Sequence, residues 1–319
     1  MKKRNQEMKY YALFVTILLC ASNPAISGKP TPPATPRTAS TVTGHRLLLG
    51  GTELGYVYLL DARGRVEWSY AVSGPVCDLA QRANGNVVYC NARGAAEITL
   101  DKRVVWEFKA PKGTEIFTCQ PLPDSGVLIL CNGTPPMLRE FNTKTKKMIV
   151  EIEIPTTTRN VHGQFRVARK TPKGTYLLPY LSENKVCELD ATGKVVRTIT
   201  GIHGPFHVVA LANGNILIGG GYGKQVIEVA PDDSVVWKVT NEDLPGEPFH
   251  FAAGIQRLAN GNTVVANWAG HVGKAPTSQL LELTPEKKII WKFNDWKNFT
   301  AMSNMQVLDE SETGGRSYR

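Results

Sequence analysis

The sequence has few of the features that mark common enzyme classes. It has no Cys-x-x-Cys pair, no Cys/His cluster at zinc spacing, no phosphate-binding glycine loop and no nucleophile motif. These absences argue against a structural zinc site, and we expect no bound metal. No stretch has helical periodicity of useful length, so strands are the expected secondary structure.

Long apolar runs are also scarce, and the main one lies near the N-terminus. Basic residues at Lys2–Arg4 precede an apolar run over Tyr10–Cys20, and Ala25–Ser27 offers a small-x-small cleavage site. The pattern predicts a secretory signal peptide over residues 1–27 and a periplasmic or extracellular protein. Lipid anchoring at Cys20 is the less favoured alternative, because a bulky leucine precedes it. No later segment is long and apolar enough to span a bilayer.

Cysteines are few. Five follow the predicted signal peptide, namely Cys77, Cys90, Cys119, Cys131 and Cys187. Export would permit disulfides, and a three-residue turn at Asp124 would place Cys119 opposite Cys131. A Cys119–Cys131 bridge is therefore one alternative, and burial as free thiols is the favoured one.

Clusters of one charge are absent as well. The net charge is +9, but the lysines and arginines are scattered along the chain. A dispersed charge is typical of a solvated surface, so we expect no nucleic-acid partner.

A repeated phrase dominates what is present: a short apolar strand, an Asn-Gly-like turn and a second short apolar strand. The five turns are Asn84-Gly85-Asn86, Asp124-Ser125-Gly126, Lys173-Gly174-Thr175, Asn213-Gly214-Asn215 and Asn260-Gly261-Asn262. A period of about 40–50 residues with four strands per unit is typical of a β-propeller.

Each unit divides into four strands, which we label A to D in chain order. Strands B, C and D occur six times within residues 44–310, but the first unit, from His45, lacks strand A. A C-terminal segment, Met302–Leu308, has no partner of its own and would complete that unit. The prediction is an all-β, six-bladed β-propeller of four-stranded antiparallel blades, closed by the C-terminal strand; seven blades is the alternative. A Pro/Thr-rich linker over residues 28–43 and a disordered tail over residues 311–319 would flank it.

The C-to-D phrase Leu60–Trp68 (LDARGRVEW) resembles the quinoprotein-like (PQQ-like) propeller repeat. The resemblance implies that the strand-D tryptophans pack between neighbouring blades. Quinoprotein enzymes of that kind are larger and carry adjacent cysteines and calcium ligands, which this chain lacks. We therefore expect neither PQQ nor another cofactor. Glutamates recur in strand C and are predicted to be surface positions; they are Glu140, Glu188, Glu228 and Glu282.

Histidines concentrate on one predicted face of the ring. Of the six, only His45 falls on the other face; the five are His162, His203, His207, His250 and His271. The segments beginning at His162 and His203 align, so Arg166 and His207 occupy equivalent positions in strand A of their blades. Counting from the turns places Asp78 and Asn304 at the same position of their own strands. We call this set of equivalent positions a column, and it would lie at the mouth of the central channel.

Long loops on this face add Trp268 and Trp296, and loops on a rigid scaffold are common binding sites. The predicted ligand site therefore comprises His162, Arg166, His203, His207, His250, His271, Trp268, Trp296 and Asp78.

Two functions fit this pattern. The favoured one is an exported, non-catalytic propeller that binds a small polar ligand or a protein partner on the histidine face. The alternative is a His-dependent transferase or hydrolase at the channel mouth, with His207, His250 and Arg166 as candidate catalytic residues. In support of the alternative, the segment His250–Asn262 is similar to repeats of bacterial arylsulfotransferases.

Overall fold

The computed structural model describes residues 44–51, 55–272 and 275–309. Within them the chain forms six four-stranded antiparallel sheets, which confirms the predicted six-bladed propeller; the seven-bladed alternative is wrong. The predicted signal peptide, linker and C-terminal tail lie outside the described residues. No helix among the described residues has the length and hydrophobicity needed to cross a membrane.

The strands follow one another blade by blade. Blade 1 holds β1 (Leu47–Gly51), β2 (Tyr56–Leu60) and β3 (Val66–Ala71). Blade 2 holds β4 (Val76–Gln81), β5 (Val87–Asn91), β6 (Gly94–Ile98) and β7 (Val104–Lys109). Blade 3 holds β8 (Glu115–Leu122), β9 (Gly126–Asn132), β10 (Met137–Asn142) and β11 (Lys147–Glu153).

The second half repeats the arrangement. Blade 4 holds β12 (Arg169–Lys170), β13 (Tyr176–Tyr180), β14 (Lys185–Leu189) and β15 (Val195–Thr200). Blade 5 holds β16 (His207–Ala210), β17 (Ile216–Gly219), β18 (Gln225–Val229) and β19 (Val235–Thr240). Blade 6 holds β20 (Ala252–Arg257), β21 (Thr263–Asn267), β22 (Leu280–Leu283) and β23 (Ile289–Phe293), and β24 (Met302–Val307) follows it. Two 3-10 helices, Val161–Gly163 and Asn241–Asp243, lie between blades.

The last strand closes the ring. β24 pairs antiparallel with β1, with Leu47 opposite Val307 and Leu49 opposite Met305. The A strands, including β24, contact one another in an unbroken cycle around the centre. Closure leaves no open sheet edge at the junction of the first and last blades.

The A-to-B turns and C-to-D turns lie on one face of the ring. The B-to-C loops and the connections between blades lie on the other, which we call the loop face. Around the site described below it comprises residues 133–136, 154–166, 181–184, 201–206, 220–224, 241–251, 267–272, 275–279 and 294–301.

The A-to-B turns form as the sequence predicts. Gly85 and Gly214 both have φ of +85°, a conformation that glycine adopts without strain. In blade 3 the loop is one residue earlier than expected, because Leu122 pairs with Gly126. That register places Cys119 opposite Ile129 and Cys131 opposite Ile116, so the Cys119–Cys131 bridge is wrong. All five described cysteines are buried, and none of them forms a disulfide.

The strand-D tryptophans pack against the following blade, as the resemblance implies. The indole N–H of Trp68 donates to the carbonyl of Leu100 at 2.7 Å, and that of Trp237 donates to Pro285 at the same distance. Trp106 lies 5.5 Å from the ring of Phe141. Each ring thus buries apolar surface at a blade junction, and Trp68 and Trp237 also satisfy their indole N–H groups there.

Most of the strand-C glutamates are not surface positions. Three of the four predicted ones, Glu140, Glu228 and Glu282, are buried, and so is Glu97 in the same position of blade 2. Each of these four accepts a hydrogen bond from the next blade: Glu97 from Thr143, Glu140 from Lys170, Glu228 from Arg257 and Glu282 from His45. We call these contacts the glutamate clasps. The surface prediction fails because the neighbouring blade covers them.

Candidate functional site

A buried ion pair occupies the centre of the ring. The two Nη atoms of Arg169 donate to the two carboxylate oxygens of Asp78 at 2.8 and 3.1 Å. The same carboxylate accepts from the backbone N–H of Cys119 at 3.0 Å and from the side-chain amide of Asn304 at 2.9 Å. Asp78 and Asn304 therefore share the predicted column, but both are fully buried. They hold the inner strands together below the channel mouth.

Arg166 does not occupy the column predicted for it. Val167 forms the bridge with His207, and its N–H donates to the carbonyl of Phe206 at 2.9 Å. Strand A of blade 4 becomes regular only at β12, and other A strands shift register near their start. Alignment by motif is therefore one residue out here. Arg166 lies nearer the loop face, next to Phe206.

The guanidinium of Arg166 is buried at the channel mouth. It lies over the ring of Phe117 at 4.2 Å, and its Nη1 donates to the carbonyls of His162 at 2.6 Å and Phe165 at 2.9 Å. Burial lowers the pKa of Arg166 to about 10, and its charge interacts with Cys77, Tyr222 and Glu115. Those three belong to blades 2, 5 and 3, so the cation stands between blades.

His162 forms one wall of this region. Its Nδ1 lies 2.8 Å from a carboxylate oxygen of Glu115, and its ring meets Phe117 edge-on at 5.6 Å. This hydrogen bond lowers the pKa of Glu115, against the opposing effect of burial. The carboxylate is therefore charged at neutral pH, on the same side of the mouth as Arg166.

Rings from blades 5 and 6 continue the mouth on the other side. We call His203, Phe206, Tyr222, Phe251, Trp268 and His271 the aromatic cluster. Phe251 contacts three of the other rings, with centroids 5.3 Å from Phe206, 4.9 Å from Tyr222 and 5.4 Å from Trp268. His271 lies 4.6 Å from Trp268, and His203 lies 5.9 Å from Tyr222. Buried phenylalanines thus form a floor, and more exposed rings form a rim.

Tyr222 is exposed, with 45% of its surface accessible, whereas Trp268 is only partly exposed. The connection into blade 5 packs against it through Gly204, where an added Cβ would lie 2.4 Å from Cδ2 of Tyr222. Gly204 also has a positive φ of 58°. A side chain at this position would displace the ring, so glycine fixes where Tyr222 stands.

The two histidines proposed for catalysis lie in different surroundings. His207 is fully buried, and its Nδ1 accepts the backbone N–H of Ile255 at 3.0 Å. His250 is partly buried, and its backbone N–H donates to Asn267 at 2.7 Å. Burial, helped by the charge of Lys224, lowers the pKa of His250. Within the described part of the chain, its Nε2 has no hydrogen-bond partner.

The remaining predicted residue, Trp296, has no described ring contact with the aromatic cluster. Its indole N–H donates to the carbonyl of Thr277 at 2.9 Å, which joins the connection that leaves blade 6 to the B-to-C loop of that blade. Among residues 44–51, 55–272 and 275–309, no group of three His, Cys, Asp or Glu side chains is placed to hold a metal ion.

Two grooves lie elsewhere on the ring. One, of about 550 Å³, runs along the junction of blades 6 and 1 beside His45 and Trp291. The other, of about 650 Å³, lies between residues 133–136 and 153–159. Neither contains Arg166 or a member of the aromatic cluster.

The sequence interpretation missed several residues that build the mouth and the channel. The histidine pattern did not include Arg169, although a charged residue in an otherwise apolar inner strand indicates a buried ion pair. Phe117 and Glu115 belong to blade 3, where no histidine drew attention. Tyr222 and Phe251 become part of the site only through contacts between blades.

The chain is similar to several solved propellers. A protein of unknown function from Bacteroides caccae shares 27% identity with a TM-score of 0.77, covering 84% of this chain and 100% of that one. Virginiamycin B lyase from Staphylococcus aureus, an inactive variant solved with quinupristin, shares 12% identity with a TM-score of 0.58, covering 83% and 94%. The WD40 propeller domain of Doa1 shares 16% with a TM-score of 0.55, covering 69% and 71%. The last two likenesses concern the fold alone.

Sequence comparisons give one family. No curated protein sequence matches the chain significantly. The model of the Mal s 1 allergenic protein-like family matches residues 58–288, which is most of the propeller. The quinoprotein resemblance remains a likeness at the level of the repeat. The chain belongs to the Mal s 1 allergenic protein-like family.

Proposed function

We propose that this protein is an exported, non-catalytic propeller that binds a small polar ligand on its loop face, at the mouth of the central channel. The observation that carries the proposal is the aromatic cluster together with the buried cation of Arg166, whose charge interacts with Tyr222 of that cluster. Ligand sites combine apolar and aromatic surface with a few fixed polar groups, and this mouth has both.

The ion pair inside the ring supports a site at the mouth. Arg169 and Asp78 fill the centre below Arg166, so a ligand entering from the loop face would meet a floor rather than an open pore. The floor is rigid because the inner strands hold it through several hydrogen bonds. A ligand at the mouth would lose little freedom to protein rearrangement.

The positions of the histidines favour binding over catalysis. A general base must come within hydrogen-bond reach of its substrate, and His207 has no exposed surface. Its Nδ1 is already used by the backbone of blade 6. His203 and His271 stand instead on the rim, where an imidazole can stack on a ligand or donate a hydrogen bond.

Two flat probes of similar shape test the proposal: 4-nitrobenzoate and its neutral amide, 4-nitrobenzamide. We expect saturable binding of at least one of them in ligand-observed NMR titrations. Tyr222→Ala should weaken that binding by about 3- to 10-fold, because one stacking surface is lost. Ile290→Ala, which shortens an exposed side chain on the outer strand β23, is the matched control and should change nothing.

Two results would contradict the proposal. One is the absence of saturable binding by either probe. The other is an equal loss of binding in Tyr222→Ala and Ile290→Ala, which would place the probe outside the mouth.

A further inference from the structure

We infer that the ligand of this mouth carries a single carboxylate on a flat ring, and that Arg166 binds the carboxylate. The inference rests on the proposed binding function and adds the chemical class of the ligand. It follows from the hydrogen bonds, burial and neighbours of one guanidinium.

Arg166 is a buried cation that forms no direct ion pair within the described part of the chain. Only 5% of its surface is accessible, and Glu115, whose charge interacts with it, is bonded to His162 instead. Its Nη1 donates to two backbone carbonyls, whereas Nε and Nη2 donate to no described residue. A buried charge that lacks a partner is costly, so an anion reaching these atoms would be strongly favoured.

The free edge of the guanidinium suits a carboxylate. With Nη1 occupied, Nε and Nη2 remain as two parallel donors on one side of the group. This edge matches the two oxygens of a carboxylate in a bidentate pair. Phe117 covers one face of the guanidinium at 4.2 Å and limits the approach to that edge.

The neighbouring charges favour one negative charge rather than two. Glu115 interacts with Arg166, and its carboxylate is held ionised by the hydrogen bond to His162. A dianionic phosphate at Arg166 would meet repulsion from Glu115, while a carboxylate would meet about half of it. One arginine beside one glutamate therefore selects a monoanion.

The surroundings of Arg166 favour a flat ring next to that carboxylate. Phe206 immediately precedes β16 and lies beside Arg166 where the backbone of Val167 pairs with His207. The charge of Arg166 also interacts with the hydroxyl of Tyr222. Tyr222 packs edge-on against Phe251, which packs edge-on against Phe206, so a ligand that spans from Arg166 to Tyr222 would meet these rings. Offset or edge-on contacts with these rings suit an aromatic ligand.

The test compares the affinities of 4-nitrobenzoate and 4-nitrobenzamide, which differ in charge and little in shape. In the native protein we expect the carboxylate to bind about tenfold more tightly, the size expected for a charge-assisted pair. Arg166→Gln should bring the ratio close to one. Arg159→Gln removes an exposed arginine from the same face and is the matched control, which should keep the native ratio.

A second variant covers the case in which Arg166→Gln does not fold. Glu115→Gln removes the competing negative charge and should raise the affinity for 4-nitrobenzoate about threefold, with no change for the amide. Likewise, 4-nitrophenyl phosphate should bind more weakly than 4-nitrobenzoate to the native protein.

Each contrary result has its own meaning. Equal affinity for both nitrobenzoyl probes would refute the carboxylate while leaving the binding function in place. A preference for the carboxylate that survives Arg166→Gln would refute the role of Arg166. Tighter binding of the phosphate would refute the monoanion. If neither probe binds, the proposed binding function fails, and this inference fails with it.

Discussion

At the scale of single residues, Arg169 and Asp78 show how much depends on a few buried charges. Arg169 belongs to blade 4 and Asp78 to blade 2, so this ion pair joins two blades that are not neighbours in the ring. Asp78 also accepts donors from blade 3 and from β24. Four of the six inner strands thus share one carboxylate.

Removing the cation alone should be strongly destabilising. We expect Arg169→Met to lower the free energy of unfolding by about 3–5 kcal/mol, because the buried carboxylate of Asp78 loses its partner. Urea unfolding followed by circular dichroism measures the loss. Arg65→Met breaks a more exposed ion pair with Asp61 and should cost less than about 1 kcal/mol.

The double variant Asp78→Leu/Arg169→Met separates charge from packing. It should recover much of the stability, because no unpaired charge remains. If Arg169→Met costs no more than Arg65→Met, the pair is not the central support that its burial indicates.

At the scale of strands and their junctions, the glutamate clasps join successive blades. The partner of the buried glutamate is Lys170 at the junction of blades 3 and 4, Arg257 at the junction of blades 5 and 6, and His45 at the junction of blades 6 and 1. His45 also pairs with Asp309, just beyond the closing strand. The junction that closes the ring therefore carries the clasp whose cation is a histidine.

The stability of this junction should depend on pH. Burial alone would lower the pKa of His45, but hydrogen bonds to Asp309 and Glu282 outweigh it and raise the pKa to about 9. A raised pKa in the folded state means that the stabilisation is complete below the unfolded value of about 6.5. It should then fall as the pH rises through about 9.

The measurement is the stability difference between the native protein and His45→Gln from pH 6 to pH 10. This difference should shrink as the pH rises. The corresponding difference for Arg257→Gln, which breaks the clasp between blades 5 and 6, should stay constant, because arginine remains charged over this pH range. A constant difference for His45→Gln would mean that the histidine is not charged in the clasp.

The turns and the glutamate clasps differ in how far the sequence predicts them. The Asn-Gly turns are local, since Gly85 and Gly214 set their own backbone angles, and their spacing was enough to count blades. The clasps are not local. Whether Glu228 is buried depends on Arg257 of the next blade, and the position of Arg166 depends on an irregular strand start. The histidine pattern drew attention to the loop face, but the contacts of Arg166 there became distinct only in three dimensions.

At the scale of the whole molecule, one strand connects the two ends of the propeller. β24 contacts β1, β4 and β20, and it buries Met302, Met305 and Val307. Burying three such side chains contributes on the order of 5 kcal/mol, which is comparable to the total stability of many domains. The ring therefore depends on this strand as a unit.

Placing a charge in the closing strand should open the ring. We expect Met305→Lys to lower the free energy of unfolding by more than about 4 kcal/mol, because the ammonium would be buried without a partner. Amide hydrogen exchange should rise first in β1, which loses its partner strand.

The control for this variant is Val236→Lys, on the outer strand of blade 5, where the side chain is 54% exposed. Its effect should stay within about 0.5 kcal/mol. If Met305→Lys leaves exchange in β1 unchanged, closure by β24 is not what protects the first blade.

The place of β24 in the chain also sets an order of events during synthesis. A ribosome produces β1 first among the strands of the propeller and Met302–Val307 last. Until that final strand emerges, Leu47, Leu48 and Leu49 present an edge that any other extended chain could pair with. The finished protein hides this edge completely, so the greatest risk of aggregation falls within the interval between the first blade and the last strand.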